Sequence, residues 1–92
     1  MQIKQRRQFR QELRRMTSTM RQEVDNAVRV VINDPDVGKP LKGALAGLRA
    51  LRFQLNRSEA RLIYRHEPDS TRIVLVYLGP WRTSIESWTG ET

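Results

Sequence analysis

Near residue 50 the spacing of apolar side chains changes from the period of a helix to that of a strand, and it changes only once. Upstream, Phe9, Leu13, Met16 and Met20 recur at intervals of four, three and four, and Val24, Ala27, Val28, Val31 and Ile32 carry the same period onward. This is one apolar stripe along helical chain. Downstream, Leu51, Phe53 and Leu55 alternate with Arg52 and Gln54; Leu62, Tyr64 and His66 alternate with Arg61, Ile63 and Arg65; Ile73 to Leu78 is apolar without a break. These are three strands. Helices followed by strands imply an α+β domain, with a helical hairpin covering one face of a small antiparallel meander. A chain of 92 residues has material for one such core, so a single domain over 1–92 is expected.

Punctuation residues divide the helical half. Thr17, Ser18 and Thr19 are weak helix formers that split it in two, and Thr19 with Gln22 reads as a capping box for the second helix. Asn33-Asp34-Pro35 ends that helix, because the residue before a proline is pushed out of helical geometry. Residues 34–48 hold three of the five glycines and two of the four prolines and read as a structured connection. Their glycine spacing matches neither a Walker loop nor a dinucleotide fingerprint.

The turns at Asn56–Glu59 and Glu67–Thr71 are short enough to force antiparallel hairpins. With Leu55 set opposite Ala60, Leu51, Phe53, Leu55, Leu62 and Tyr64 share the face that helices cover, and Arg52, Gln54, Arg61, Ile63 and Arg65 share the other. Setting His66 opposite Arg72 adds Tyr77 to the arginine face. The unbroken run Ile73–Leu78 is expected at the sheet centre or buried on both sides.

Seventeen basic residues against ten acidic leave a net charge of +7, and fourteen of the seventeen are arginine. Guanidinium forks match phosphate and carboxylate, so the surface suits a polyanion or an acidic protein. Residues 39–65 alone carry a net +6, opposed only by Glu59, and Lys4, Arg6, Arg7, Arg10, Arg14 and Arg15 form a second run. Glu59 and Glu86 make no carboxylate pair and read as solvated charges. There is no cysteine, which excludes a disulfide framework, a thiolate metal site and a cysteine nucleophile. The charged opening segment lacks the apolar run of a signal peptide and nothing later suits a membrane span, so a cytoplasmic protein without membrane contact is expected.

Order and motifs together resemble the RelE/ParE family of bacterial toxins from type II toxin–antitoxin pairs. The resemblance is carried by the opening MQIKQRRQF and the helical stripe after it, by Asn33-Asp34-Pro35 with Gly38-Lys39-Pro40-Leu41-Lys42-Gly43, by Leu48-Arg49-Ala50-Leu51-Arg52-Phe53, by Arg61-Leu62-Ile63-Tyr64, and by Ile73 to Gly79. It spans nearly the whole chain. It implies a short strand before the helices and a growth-arresting toxin held inactive by a small acidic antitoxin. RelE-like members cut messenger RNA on the ribosome without a metal or cofactor; ParE-like members inhibit DNA gyrase by binding.

RNA cleavage through the 2′-hydroxyl needs a proton acceptor, charge stabilisation at phosphorus and a proton for the leaving oxygen. The resemblance assigns this work to basic residues of the open sheet face and a C-terminal tyrosine. Arg61 matches the family's arginine before Leu-Ile-Tyr, Arg52 occupies a basic position, and Gln54 stands where RelE has lysine. Reading Pro80 as a one-residue insertion puts Arg82 in the next basic position and Trp88 in the tyrosine's, where an indole donates a hydrogen bond but transfers no proton. The implied catalytic set is Arg52, Arg61 and Arg82, with Lys42, Arg49, Gln54, Arg65 and Trp88 as RNA contacts and no metal. Trp81 and Trp88 read first as a seal on the core, with stacking on a base as the alternative. His66, the single histidine, falls on the face opposite Arg61. His66→Gln is accordingly expected to leave toxicity in a growth assay nearly intact; a hundredfold loss would identify it as the missing base.

Overall fold

The computed structural model describes residues 2–67, 69 and 71–80. Strand β1 (Gln2–Gln5) is followed by helices α1 (Arg7–Arg14) and α2 (Ser18–Asn33), strand β2 (Lys39–Pro40), a single 3-10 turn (Gly43–Leu45), and strands β3 (Arg49–Leu55), β4 (Ser58–Glu67) and β5 (Arg72–Pro80). The sheet runs β1-β5-β4-β3-β2, with β1 parallel to β5 and the other pairs antiparallel. The α+β expectation holds, and the first strand implied by family resemblance is present. Strand β2, two residues within the connection, pairs with Ala50 and Arg49; its length is too short for alternation to reveal. The central strand is β4, where Ala60 to Tyr64 are all buried; the apolar run of β5 lies beside it and is buried on both sides through Ile73, Val74 and Leu75.

The apolar stripes make one core. Phe9 from α1 and Val24, Ala27 and Val31 from α2 meet Leu62, Tyr64, Ile73, Leu75 and Leu78, with Leu13, Met16, Leu51 and Phe53 packed around them. Helix α2 starts earlier than its capping-box pattern indicates. The Thr17 hydroxyl accepts from the Met20 amide at 3.2 Å, the usual reach of an N-cap to the third helical residue, while Gln22 bonds Asn26 instead.

Two local features correct the expected strand registers. The β3–β4 hairpin turns on Asn56 and Arg57 alone, both at positive φ (51° and 66°), the two-residue form whose twist matches the strands it joins. Leu55 therefore faces Ser58, Phe53 faces Ala60 and Arg52 faces Arg61. The slip is an even number of residues, so no side chain changes face. Between β4 and β5 the register breaks: Ile63 faces Tyr77 but Tyr64 faces Leu75, leaving Val76 as an extra residue. This bulge lets Ile73, Leu75 and Leu78 all enter the core while Tyr77 emerges on the opposite side. His66 consequently faces Ile73, not Arg72.

Beyond β1, the edge of β5 is closed by a side chain. The Gln8 amide donates to the Leu78 carbonyl and accepts from the Leu78 amide, both at 3.0 Å, as a neighbouring strand would. At the other end, the Tyr64 hydroxyl donates to the Pro35 carbonyl at 2.7 Å and accepts from the Gly38 amide at 2.9 Å. Gly38 permits this, since a Cβ there would lie 2.8 Å from the Tyr64 ring and hydroxyl. Burial is the main reason that the Tyr64 phenol titrates above its ordinary range, with the Gly38 hydrogen bond opposing.

Tyr64→Phe leaves a buried amide and carbonyl without their partner and is expected to cost about 2 kcal/mol in a denaturant titration, with an unchanged denaturant slope. Because folding raises the phenol's pKa, the folded chain holds that proton more tightly. The stability tied to it is present below about pH 10 and falls as pH rises further. The phenylalanine variant lacks that share of the alkaline loss.

Candidate nucleic-acid interface

The face turned away from the helices carries Arg52, Arg61 and Arg65, as the alternation of β3 and β4 dictates. Arg52 and Arg61 are direct cross-strand partners. Like charges placed opposite one another destabilise a sheet, so nothing in the fold itself calls for this pair. Arg61 is only 8% exposed and is the one charged residue in the buried set of the described residues. Its pKa is lowered, chiefly by burial and then by Arg52, with Tyr77 acting in the opposite sense. It remains a cation at neutral pH.

The face is not bare, contrary to the sequence reading. Ile63 is fully buried, Val74 and Ala50 nearly so, and exposed positions lie at its two margins, Arg52 and Gln54 on β3 and Lys4 on β1. The register explains the enclosure: Arg61 and Arg65 flank Ile63 along β4 while Ala50 and Tyr77 stand on either side of it. Tyr77 leans along its strand, and a Cβ on Gly79 would come within 2.5 Å of its hydroxyl. Gly79 is the residue directly opposite Arg61, so the glycine gives the phenol room beside that guanidinium. Burial and, after it, Glu12 raise the Tyr77 pKa, with Arg61 opposing. Tyr77 is thus a proton donor at neutral pH.

Glu59 does not stand alone. It takes both arms of Arg52, Nε to Oε2 at 2.8 Å and Nη2 to Oε1 at 3.2 Å. Both side chains are about half exposed, which limits the pair to roughly 0.2–1 kcal/mol. Its importance is positional: a carboxylate occupies the fork that a phosphate would use. Two residues along β3 from Arg52, Gln54 faces Glu59 and is exposed.

The basic residues between 39 and 65 do not all gather here. Arg49 lies by the 34–40 loop, donating to the carbonyls of Gly38 at 2.7 Å and Asp36 at 3.1 Å and approaching the Asp36 carboxylate at 3.6 Å. His66 Nδ1 is 3.8 Å from the same carboxylate. Arg49 and His66 therefore hold a loop, on the opposite face from Arg61. Lys42 precedes the 3-10 turn in the connection and is exposed. Arg57 sits at the hairpin tip. Arg65 approaches Glu67 at 3.5 Å, and Arg72 bonds that glutamate at 2.7 Å. Arg82, Trp81, Trp88 and Glu86 lie outside the described residues. Alternation alone does not reveal the contributions of Glu59, Glu67, Lys4 and Arg72, which come from pairing between strands. Among the described residues no cluster of metal-ligating side chains occurs and no helix is long and apolar enough to cross a membrane.

A family model for the ParE-like toxin of type II bacterial toxin–antitoxin systems matches residues 3–83. The chain belongs to that family. Among solved structures, the isolated Escherichia coli RelE toxin superposes with a TM-score of 0.70 at 18% identity, covering 98% of this chain and 95% of RelE. The Agrobacterium tumefaciens YoeB/ParE toxin gives 0.70 at 19% identity, over 86% of this chain and 96% of that one. The RelBE2 toxin–antitoxin complex of Mycobacterium tuberculosis gives 0.64 at 26% identity, over 86% and 95%. No curated protein matches by sequence. The family model and these neighbours agree on a type II toxin of the RelE/ParE superfamily.

Removing the competing carboxylate is the direct probe of this face. Glu59→Gln in the toxin should tighten binding of single-stranded RNA by about two- to five-fold, the equivalent of one exposed ion pair, as measured by fluorescence anisotropy.

Proposed function

We propose that this toxin is a RelE-like, ribosome-dependent messenger RNA endonuclease, restrained by a small acidic antitoxin and acting in the cytoplasm. The observation that carries the reading is the Arg52–Arg61 pair, two cations held opposite each other, one of them buried. A phosphodiester whose charge grows as a 2′-oxygen attacks is the ligand that such a pair stabilises best. Tyr77, protonated and beside Arg61, is placed to donate to the leaving 5′-oxygen. Glu59 supplies a carboxylate at the same spot to accept the 2′-proton once Arg52 turns to the phosphate. Arg82 and Trp88, implied by resemblance, complete the proposed set, and Lys42, Gln54 and Arg65 contact RNA around it. Arg49 is better read as a loop anchor. Antitoxin binding rests on the neighbours solved with one: an intact E. coli RelBE complex, RelE with a RelB peptide, and RelBE2.

One observation favours a gyrase-binding, ParE-like reading instead. Among the described residues of this face, both acids are already engaged by arginines, Glu59 with Arg52 and Glu67 with Arg72. A poison that only binds needs no free proton acceptor.

Two incubations separate the readings. With programmed ribosomes the toxin should cleave message, and Arg61→Ala should lower that rate by at least a hundredfold, as loss of one transition-state donor does, while far-UV circular dichroism stays unchanged. With gyrase and supercoiled plasmid no trapped breaks should form. Intact message together with trapped breaks, or an Arg61→Ala variant that still arrests growth, would remove the nuclease reading.

A further inference from the structure

The arginine face has a second basic cluster at its far end. A cleft of about 260 Å³ is lined there by Lys4, Arg6, Arg65, Glu67, Arg72 and Val74. Strand pairing sets Lys4, Val74 and Arg65 in one row across β1, β5 and β4, and Glu67 and Arg72 in the next. Four cations thus surround one carboxylate. Glu67 bonds Arg72 Nε at 2.7 Å, whereas Arg65 Nε, 3.5 Å from that glutamate, is closed off from solvent and makes no hydrogen bond. An arginine held only 3.5 Å from a carboxylate that Arg72 already engages, its side chain 40% exposed beside a cleft carrying surplus positive charge, fits an anion better than it fits water.

We propose that this cleft is a second phosphate subsite, holding a backbone phosphate of the same RNA strand whose scissile phosphate lies at Arg52 and Arg61. It rests on the endonuclease reading. Arg61 and Arg65 are four residues apart on β4, about 13 Å along a strand, and Arg65 turns away from Arg61 towards Glu67, so the two clusters hold separate phosphates. The RNA must therefore run along β4. Between the clusters stands Tyr77, whose partly exposed ring suits a base rather than a phosphate, while Ile63 opposite it is fully buried. The cleft favours nucleic acid over an acidic peptide because Val74 is the only apolar side chain lining it, and protein partners are held mainly by apolar anchors.

The test is the salt dependence of binding a fluorescein-labelled riboadenylate decamer to the purified toxin. Each phosphate contact on a single strand contributes about 0.7 to the slope of log K against log salt. Lys4→Gln and Arg65→Gln should each lower the slope by about that amount and weaken binding several-fold. Lys4→Arg should restore both, and a riboadenylate dinucleotide, reaching the Arg61 site alone, should not respond to Lys4→Gln. An unchanged slope in both variants would overturn the subsite, as would a glutamate decapeptide that binds with the Lys4 and Arg65 dependence when RNA does not. Ribosomal cleavage reports separately: the slope change without cleavage supports the subsite and removes the nuclease, and cleavage without the slope change does the reverse.

Discussion

The extra residue at Val76 is the constraint on which the architecture of this toxin turns. Strand β5 must fill the core under the helices and also furnish the opposite face, and strict alternation over an odd-to-even run cannot place Ile73, Leu75 and Leu78 on one side. A bulge opposite the Ile63–Tyr64 step changes parity once. Below it the strand feeds the core through Ile73 and Leu75; above it Leu78 does so while Tyr77 turns out beside Arg61. Gly79 then leaves the phenol room to lie along the strand. The packing requirement and the placement of Tyr77 beside Arg61 are met by one backbone irregularity.

Around that bulge the electrostatics are arranged against the fold's own interest. Arg52 and Arg61 face each other, and Arg61 is buried with its pKa depressed by desolvation first and by Arg52 second. Glu59 relieves part of this by engaging Arg52. The same motif recurs at the other end of the face, where Glu67 engages Arg72 and approaches Arg65. Each carboxylate lowers the repulsion among the arginines around it; the Glu59–Arg52 pair is about half exposed and the Glu67–Arg72 pair about a third.

The opposite face has a different economy of charge. Tyr64, Arg49, His66 and Asp36 tie the 34–40 loop to the sheet through short hydrogen bonds and close ion pairs. Arginine is thus divided between anchoring this loop and lining the opposite sheet face, and a count of basic residues between 39 and 65 cannot separate the two. The anchoring also explains why so glycine- and proline-rich a segment follows a defined path: its carbonyls meet Arg49 and Tyr64, and Gly38 admits the phenol that no larger residue would.

From residue order alone the helix pair, the three main strands, the family and the division of side chains between faces were all legible, because each depends on local periodicity and on short motifs. Face assignment survived a wrong hairpin register since the Asn56-Arg57 turn slides the pairing by an even step. What only the tertiary structure decided were the exact neighbours across strands: the opposition of Arg52 and Arg61, the pairing of Glu59 with Arg52, the grouping of Lys4 with Arg65 and Arg72, and the diversion of Arg49 to a loop. A one-residue bulge or a two-residue turn resets such neighbours without altering the hydrophobic pattern, so no reading of that pattern contains them.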